Sequence, residues 1–215
     1  MLIRIDTSNP KRELINAAAK IARAGGLVVF PTDTIYGIGT SAFSQGGVMR
    51  LFAAKKRDVE KPLGVFMRDI EQVSEHCNIP DEYRDFLGNI WPGPVTCVLN
   101  LKPSSLILPT PKRENSKTVA IRIPKAGIVH MLLEDLGSPM AQTSVNISGQ
   151  KHMSHTELVT TYSRFADVMI DAGEELSSEP STVIDLTGEK PKLLREGSTS
   201  WETMKNMLEK SGISV

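Results

Sequence analysis

Cysteine is almost missing from this chain: Cys77 and Cys97 are its only two, and no C-x-x-C pair occurs. That excludes a disulfide framework and a thiolate zinc site, and it leaves both residues as small buried hydrophobes. Aromatic residues make up 5% of the chain, too sparse for a base-stacking platform. No apolar run approaches the roughly 18 residues of a membrane span. Residues 1–6 alternate like a strand instead of showing a signal peptide's apolar block, so a cytoplasmic protein is expected. Formal net charge is zero, and bulk basicity therefore does not point to nucleic acid. No Walker-type Gly-Lys-Ser/Thr, no G-x-G-x-x-G fingerprint and no Ser-His-Asp set occurs. His76, His130, His152 and His155 share no spacing beyond His152-x-x-His155 and have no carboxylate or cysteine partner in the expected pattern, so no metal site is expected.

Strands and helices alternate along the chain, though not strictly. Asn9 before Pro10 reads as a helix cap, and Leu14, Ile15, Ala18, Ile21 and Ala22 recur at helical spacing until Gly25-Gly26. Residues 27–30 fit a buried strand, ended by Pro31, with a loop through Gly39. Val48, Leu51 and Phe52 mark a helix that delivers Lys55 at its C-terminal end. Residues 63–67, 95–101, 118–123, 139–143, 168–170, 182–186 and 192–195 read as strands. Helices are expected from Pro80 to Ile90 and over 128–136, 156–165 and 201–208. Residues 102–117, rich in Pro, Ser, Lys and Arg, read as a lid, because so long a loop inside a compact domain is usually functional. The pattern implies one α/β domain over 1–215: a twisted mixed sheet with flanking helices.

What is present in place of the missing motifs is polar and cationic. Thr32, Thr34 and Tyr36 alternate on the loop after a buried strand, where ligands of open α/β sheets gather. Lys55 and Arg57 sit where a helix frays into a loop and can converge on one anion; a solvated basic surface is the plainer alternative. Ser144 and Asn146 point the same way if the segment is extended, and Gly149 lets the chain turn around an anion; a local turn motif is the alternative. Charge is uneven: residues 50–125 hold 13 Lys/Arg against 9 Asp/Glu, and residues 126–215 hold 7 against 13.

Seven motifs in order resemble the YrdC family, the threonylcarbamoyl-AMP synthases. They are Pro31-Thr32-Asp33-Thr34-Ile35-Tyr36-Gly37; Lys55-x-Arg57 with Lys61-Pro62-Leu63; Trp91-Pro92-Gly93-Pro94; Ala120-Ile121-Arg122-Ile123-Pro124; Thr143-Ser144-x-Asn146-x-Ser148-Gly149; Ser181-Thr182-Val183-Ile184-Asp185; and Leu194-Arg195-Glu196-Gly197. The resemblance spans about residues 10–200. It implies a positively charged concave cavity and condensation of L-threonine, bicarbonate or CO2 and ATP, with Mg2+ bound mainly through the ATP phosphates. The products are threonylcarbamoyl-AMP and pyrophosphate, for threonylcarbamoyladenosine modification of tRNA through a downstream threonylcarbamoyl transferase complex. By the same resemblance Lys55 and Arg57 are catalytic. Arg57, Lys61, Thr118, Ser144, Asn146 and Arg195 bind nucleotide, and Thr34, Tyr36, Arg122 and Ser181 bind threonine. The close YciO paralogues share much of the pattern and imply the alternative, an RNA-binding protein of rRNA or tRNA maturation with contacts to tRNA or double-stranded RNA. The chain departs from the family's usual residues at Lys56, Asp58, Phe66, Gln142 and Val145.

Overall fold

The structure, a computed structural model, describes residues 1–56, 58, 61–111, 117–145, 154–173, 176 and 179–215. Its strands are β1 (Leu2–Arg4), β2 (Val28–Phe30), β3 (Gly37–Ser41), β4 (Gly64–Phe66), β5 (Cys77–Asn78), β6 (Val95–Leu101), β7 (Thr118–Arg122), β8 (Met140–Ser144), β9 (Val168–Asp171), β10 (Thr182–Asp185) and β11 (Lys192–Arg195). They form one mixed sheet in the order β1-β9-β2-β3-β8-β4-β7-β6-β10-β11, with β5 on β6. The helices are α1 (Arg12–Arg23), α2 (Gln45–Lys55), α3 (Ile70–His76), α4 (Arg84–Ile90), α5 (Gly127–Leu136), α6 (His155–Thr161) and α7 (Trp201–Lys210).

Strand alternation divides the sheet into two unlike faces. Ile38, Ala141, Val65, Ile121, Cys97 and Ile184 point to one side and join α2, α4 and α7 in the larger core. Val28, Phe30, Phe66 and Met140 point to the other and pack with α1 and α5. On that second face α1 and α5 cover the β1-β9-β2 side and the Phe66–Met140 end of β4 and β8, and the cavity lies beyond them.

Several local expectations need correction. Lys11, not Asn9, precedes the first turn of α1, and it makes no side-chain cap. The expected loop through Gly39 contains β3, whose glycines hid it from a propensity reading. Those glycines are required by close packing: a Cβ at Gly37 would lie 2.8 Å from the Phe30 ring, and one at Gly39 2.8 Å from the Ala141 carbonyl. Helix α3 was not expected, and it starts at a capping Asp69 that accepts from Gln72 N. The 102–117 segment is no free lid over its described part. Ile107 and Ser105 are buried, Leu108 N donates to Ala42 O, and Leu63 N donates to Pro109 O. Residues 112–116 of that segment lie outside the described residues. Among the described residues no helix is long and apolar enough to cross a membrane.

Asp167 ties the β2–β9 end of the sheet to α2. Its Oδ2 accepts from Leu27 N at 2.7 Å and from Arg50 Nη2 at 2.9 Å. Burial alone would raise its pKa, but the hydrogen bonds from Arg50 and Leu27 and the Arg50 charge outweigh it and hold the carboxyl below its ordinary value. Stability from such a group is present above the unfolded pKa of about 4 and is lost as pH falls through the lower folded value. Asp167→Asn is therefore expected to be less stable than wild type at pH 7, with the difference shrinking below about pH 4; urea melts at pH 7 and pH 3 measure this.

Candidate active site

The cavity on the open part of the sheet has a volume of about 360 Å³. Its floor follows from register. Phe66 pairs with Met140 and Arg122; Gly64 pairs with Gln142 and Ala120; Gly37 pairs with Ser144. Paired residues share a face, so these make three successive rows about 6.7 Å apart. Gly64, Ala120 and Gly37 supply almost no side chain, and the depression exists because the bulk that would fill it is missing. The loop from Thr32 to Tyr36, Pro180-Ser181 and Arg195 wall it in.

Arg122 is 3% exposed and most of its fork is engaged. Nε donates to Gly93 O at 2.8 Å, Nη1 to Thr34 Oγ1 at 3.0 Å and Nη2 to Asp33 Oδ1 at 2.5 Å. The Trp-Pro-Gly-Pro turn and the Thr-Asp-Thr loop, distant in sequence, thus meet on one guanidinium. The Phe66 ring lies beside it, with its centroid 5.7 Å from the Arg122 carbon, a cation–π distance. Burial lowers the Arg122 pKa from its ordinary value, and the Asp33 charge and hydrogen bond offset part of that shift.

Arg195 reaches the same hollow. Its Nη2 donates to Ser181 O at 2.7 Å and to Ser181 Oγ at 3.2 Å. Ser181 Oγ is also 2.9 Å from Thr96 Oγ1, which faces the cavity from β6. Burial first, then the Arg122 charge, lowers the Arg195 pKa. Two guanidiniums thus border one polar cavity, that of Arg122 paired with Asp33.

Lys55 ends α2, and Lys56 caps that helix in the left-handed conformation at φ 47°. The Lys55 side chain is buried and its Nζ donates to Ser144 O at 2.5 Å. The helix end carrying the Lys-x-Arg motif and the strand end carrying the Ser-x-Asn motif therefore meet.

The sequence-predicted residues are brought together unevenly. Thr34, Tyr36, Arg122, Ser144, Ser181 and Arg195 line the cavity. Lys55 adjoins it through Ser144. Thr118 begins β7 on the same face, one row beyond Ala120, and Lys61 precedes the cavity-lining Pro62; neither is on the wall. Arg57 and Asn146 lie outside the described residues. The three hydroxyls expected to share one target divide their work. Thr32 Oγ1 accepts from Thr34 N and Ile35 N, a local turn. Tyr36 borders the cavity, but its side chain packs in the larger core and its hydroxyl accepts from Ala172 N at 3.1 Å. Only Thr34 joins Arg122. Asp33, Thr96 and Gln142 were not assigned roles. Asp33 lies inside the Thr-Asp-Thr motif, but its partner is 89 positions away and nothing local announces it.

Known proteins resemble this chain over most of its length. A family model for the Sua5/YciO/YrdC domain, described as "telomere recombination", matches residues 20–197. The threonylcarbamoyl-AMP synthase of Pyrococcus abyssi is 36% identical over 90% of this chain, which spans 57% of that protein's length. The putative threonylcarbamoyl-AMP synthase of Mycobacterium tuberculosis is 35% identical over 94% of this chain and 92% of its own. The crystal structure of P. abyssi Sua5 complexed with L-threonine superimposes with a TM-score of 0.87 at 33% identity, covering 96% of this chain and 60% of that one. That of Escherichia coli YciO gives 0.84 at 29% identity, covering 95% and 98%.

Proposed function

Because the chain belongs to the Sua5/YciO/YrdC family, we propose that it is an L-threonylcarbamoyladenylate synthase. Threonine's amine takes up CO2 to become a carbamate. A carbamate oxygen then attacks the α-phosphorus of ATP in line, forming the mixed anhydride and expelling pyrophosphate. Such a reaction asks the protein for positioning and charge neutralisation rather than a nucleophile. The observation that carries the reading is the convergence of Arg122, Arg195, Thr34 and Ser181 on one cavity whose far strand end is held by Lys55. That a relative was crystallised with L-threonine supports the amino acid as substrate.

In this reading Arg122 and Thr34 receive the threonine carboxylate, with Ser181 and Tyr36 bordering the rest of the amino acid. Ser144, Lys55 and Arg195 take the phosphate side, together with Arg57, Lys61, Thr118 and Asn146 as the resemblance assigns them. Magnesium arrives on the triphosphate: the described cavity wall presents hydroxyls, amides and cations, not a set of carboxylates. ATP and bicarbonate complete the substrates, and a threonylcarbamoyl transferase acting on tRNA consumes the product. The RNA-binding alternative is less favoured, since the relatives named as synthases reach 36% identity and YciO 30%.

Incubation with ATP, threonine, 13C-bicarbonate and magnesium, followed by mass spectrometry, tests the reading. Labelled threonylcarbamoyl-AMP with matching pyrophosphate is expected; pyrophosphate release that ignores threonine contradicts it.

Gly197 positions this site from outside it. A Cβ there would overlap Pro180 O and lie 2.7 Å from the Ser181 carbonyl carbon. Gly197 N donates to Thr182 Oγ1 at 3.1 Å, so the strand end cannot simply step aside. Gly197→Ala is expected to raise the KM for threonine about tenfold by displacing Ser181, with less change in the KM for ATP; initial-rate kinetics in each substrate check it.

A further inference from the structure

We infer that Gln142 is the residue that recognises the carbamate group, an inference that rests on the synthase reading above. Gln142 lies on the cavity-facing side of β8, two residues before Ser144. Its row is the middle one: the Phe66–Arg122 row is on one side and the Gly37–Ser144 row on the other. The other cavity-lining members of that row are Gly64 and Ala120, which carry no polar side-chain atom. Gln142 is thus the one polar side chain lining the cavity in the middle row among the described residues.

The amide has been given room. A Cβ on Gly64 would stand 2.7 Å from Gln142 Nε2, so the glycine lets the amide lie flat on the floor. No side-chain hydrogen bond holds it among the described residues. An amide offers two donors and an acceptor. Without a side-chain hydrogen bond among the described residues and facing a cavity, those groups are available to a ligand.

The chemistry identifies that ligand group. With the carboxylate at Arg122 and the α-phosphate at Ser144 and Lys55, the planar N–CO2 unit between them crosses the middle row. A carbamate presents two oxygens that share one negative charge and one N–H, which match the amide's N–H donors and its carbonyl oxygen. A hydroxyl or methyl group would use only part of that set. Gln142 is accordingly a specificity residue for the carboxylated amine: it favours threonine that has taken up CO2 over free threonine.

The test is initial-rate pyrophosphate release against bicarbonate at saturating ATP and threonine, using the full chain and Gln142→Leu. Threonine and ATP affinities are measured separately by calorimetry. The KM for bicarbonate is expected to rise about ten- to a hundredfold, the size of a lost hydrogen bond to a charged group, with both other affinities within about twofold. Should the leucine variant misfold, Gln142→Glu keeps the shape and sets a carboxylate against the carbamate, and it is expected to lose at least as much. Unchanged bicarbonate dependence in a folded variant overturns the inference and leaves the synthase reading standing, as does an equal loss for all three substrates. Wild-type protein with no threonine-dependent release overturns both.

Discussion

Lys55→Ala is expected to reduce threonine-dependent pyrophosphate release by at least about a hundredfold, the usual cost of removing one preorganised charge from a reaction centre. Lys55 is 5% exposed, and its ammonium lies 2.5 Å from Ser144 O. It is therefore fixed before substrate arrives and needs no rearrangement to meet a developing negative charge. Its loss also removes the charged hydrogen bond between the end of α2 and the end of β8, which costs about 2 kcal/mol of stability. The two effects separate by experiment. A melting shift of a few degrees with near-total loss of turnover is the expected result, and substantial turnover in a folded variant counts against a catalytic role for Lys55.

The second large effect belongs to Arg122. Arg122→Ala removes the ion-pair partner of Asp33, leaving it the Lys125 N–H, and takes one hydrogen bond each from Thr34 Oγ1, which keeps Thr32 Oγ1, and from Gly93 O. Breaking a buried ion pair by removing one member typically costs about 3–5 kcal/mol. A loss of about 3 kcal/mol in urea unfolding is expected, with threonine affinity reduced at least about a hundredfold. Arg122→Lys is the more telling variant. It keeps the charge, so stability falls less, yet a single ammonium cannot serve Gly93, Thr34 and Asp33 together and still offer a fork to a carboxylate. Threonine binding is expected to remain poor in it. Recovery of threonine binding in the lysine variant contradicts the clamp.

How much of this was legible in the sequence depended on how local each signal was. The helix over Leu14–Ala22 and the buried strands were readable because their apolar spacing is periodic. β3 was not readable, because its Gly-Ile-Gly-Thr-Ser composition reflects crowding by Phe30, Met140 and Ala141, residues elsewhere in the chain. The cavity residues named by motif are those that now face one another, but the motifs did not show why. The Arg122–Asp33–Thr34 knot joins positions nearly ninety residues apart, and only the sheet order brings β7 under the loop after β2. The 102–117 segment misled for the same reason. Its polar composition reads as a lid, while Ile107 inserts into the core and backbone bonds at Leu108 and Pro109 fasten it. Gln142 stood out only as an unusual residue until register set it between Arg122 and Ser144.

The central claim is that the Arg122 and Ser144 rows bracket one substrate. A crystal of the wild-type chain soaked with threonine, bicarbonate and a non-hydrolysable ATP analogue tests it most directly. The account predicts continuous density for amino acid and nucleotide in the one cavity, the carboxylate on Arg122 and Thr34 and the α-phosphate beside Ser144 and Lys55. Nucleotide bound elsewhere, or threonine seated with its carboxylate away from Arg122, would contradict it.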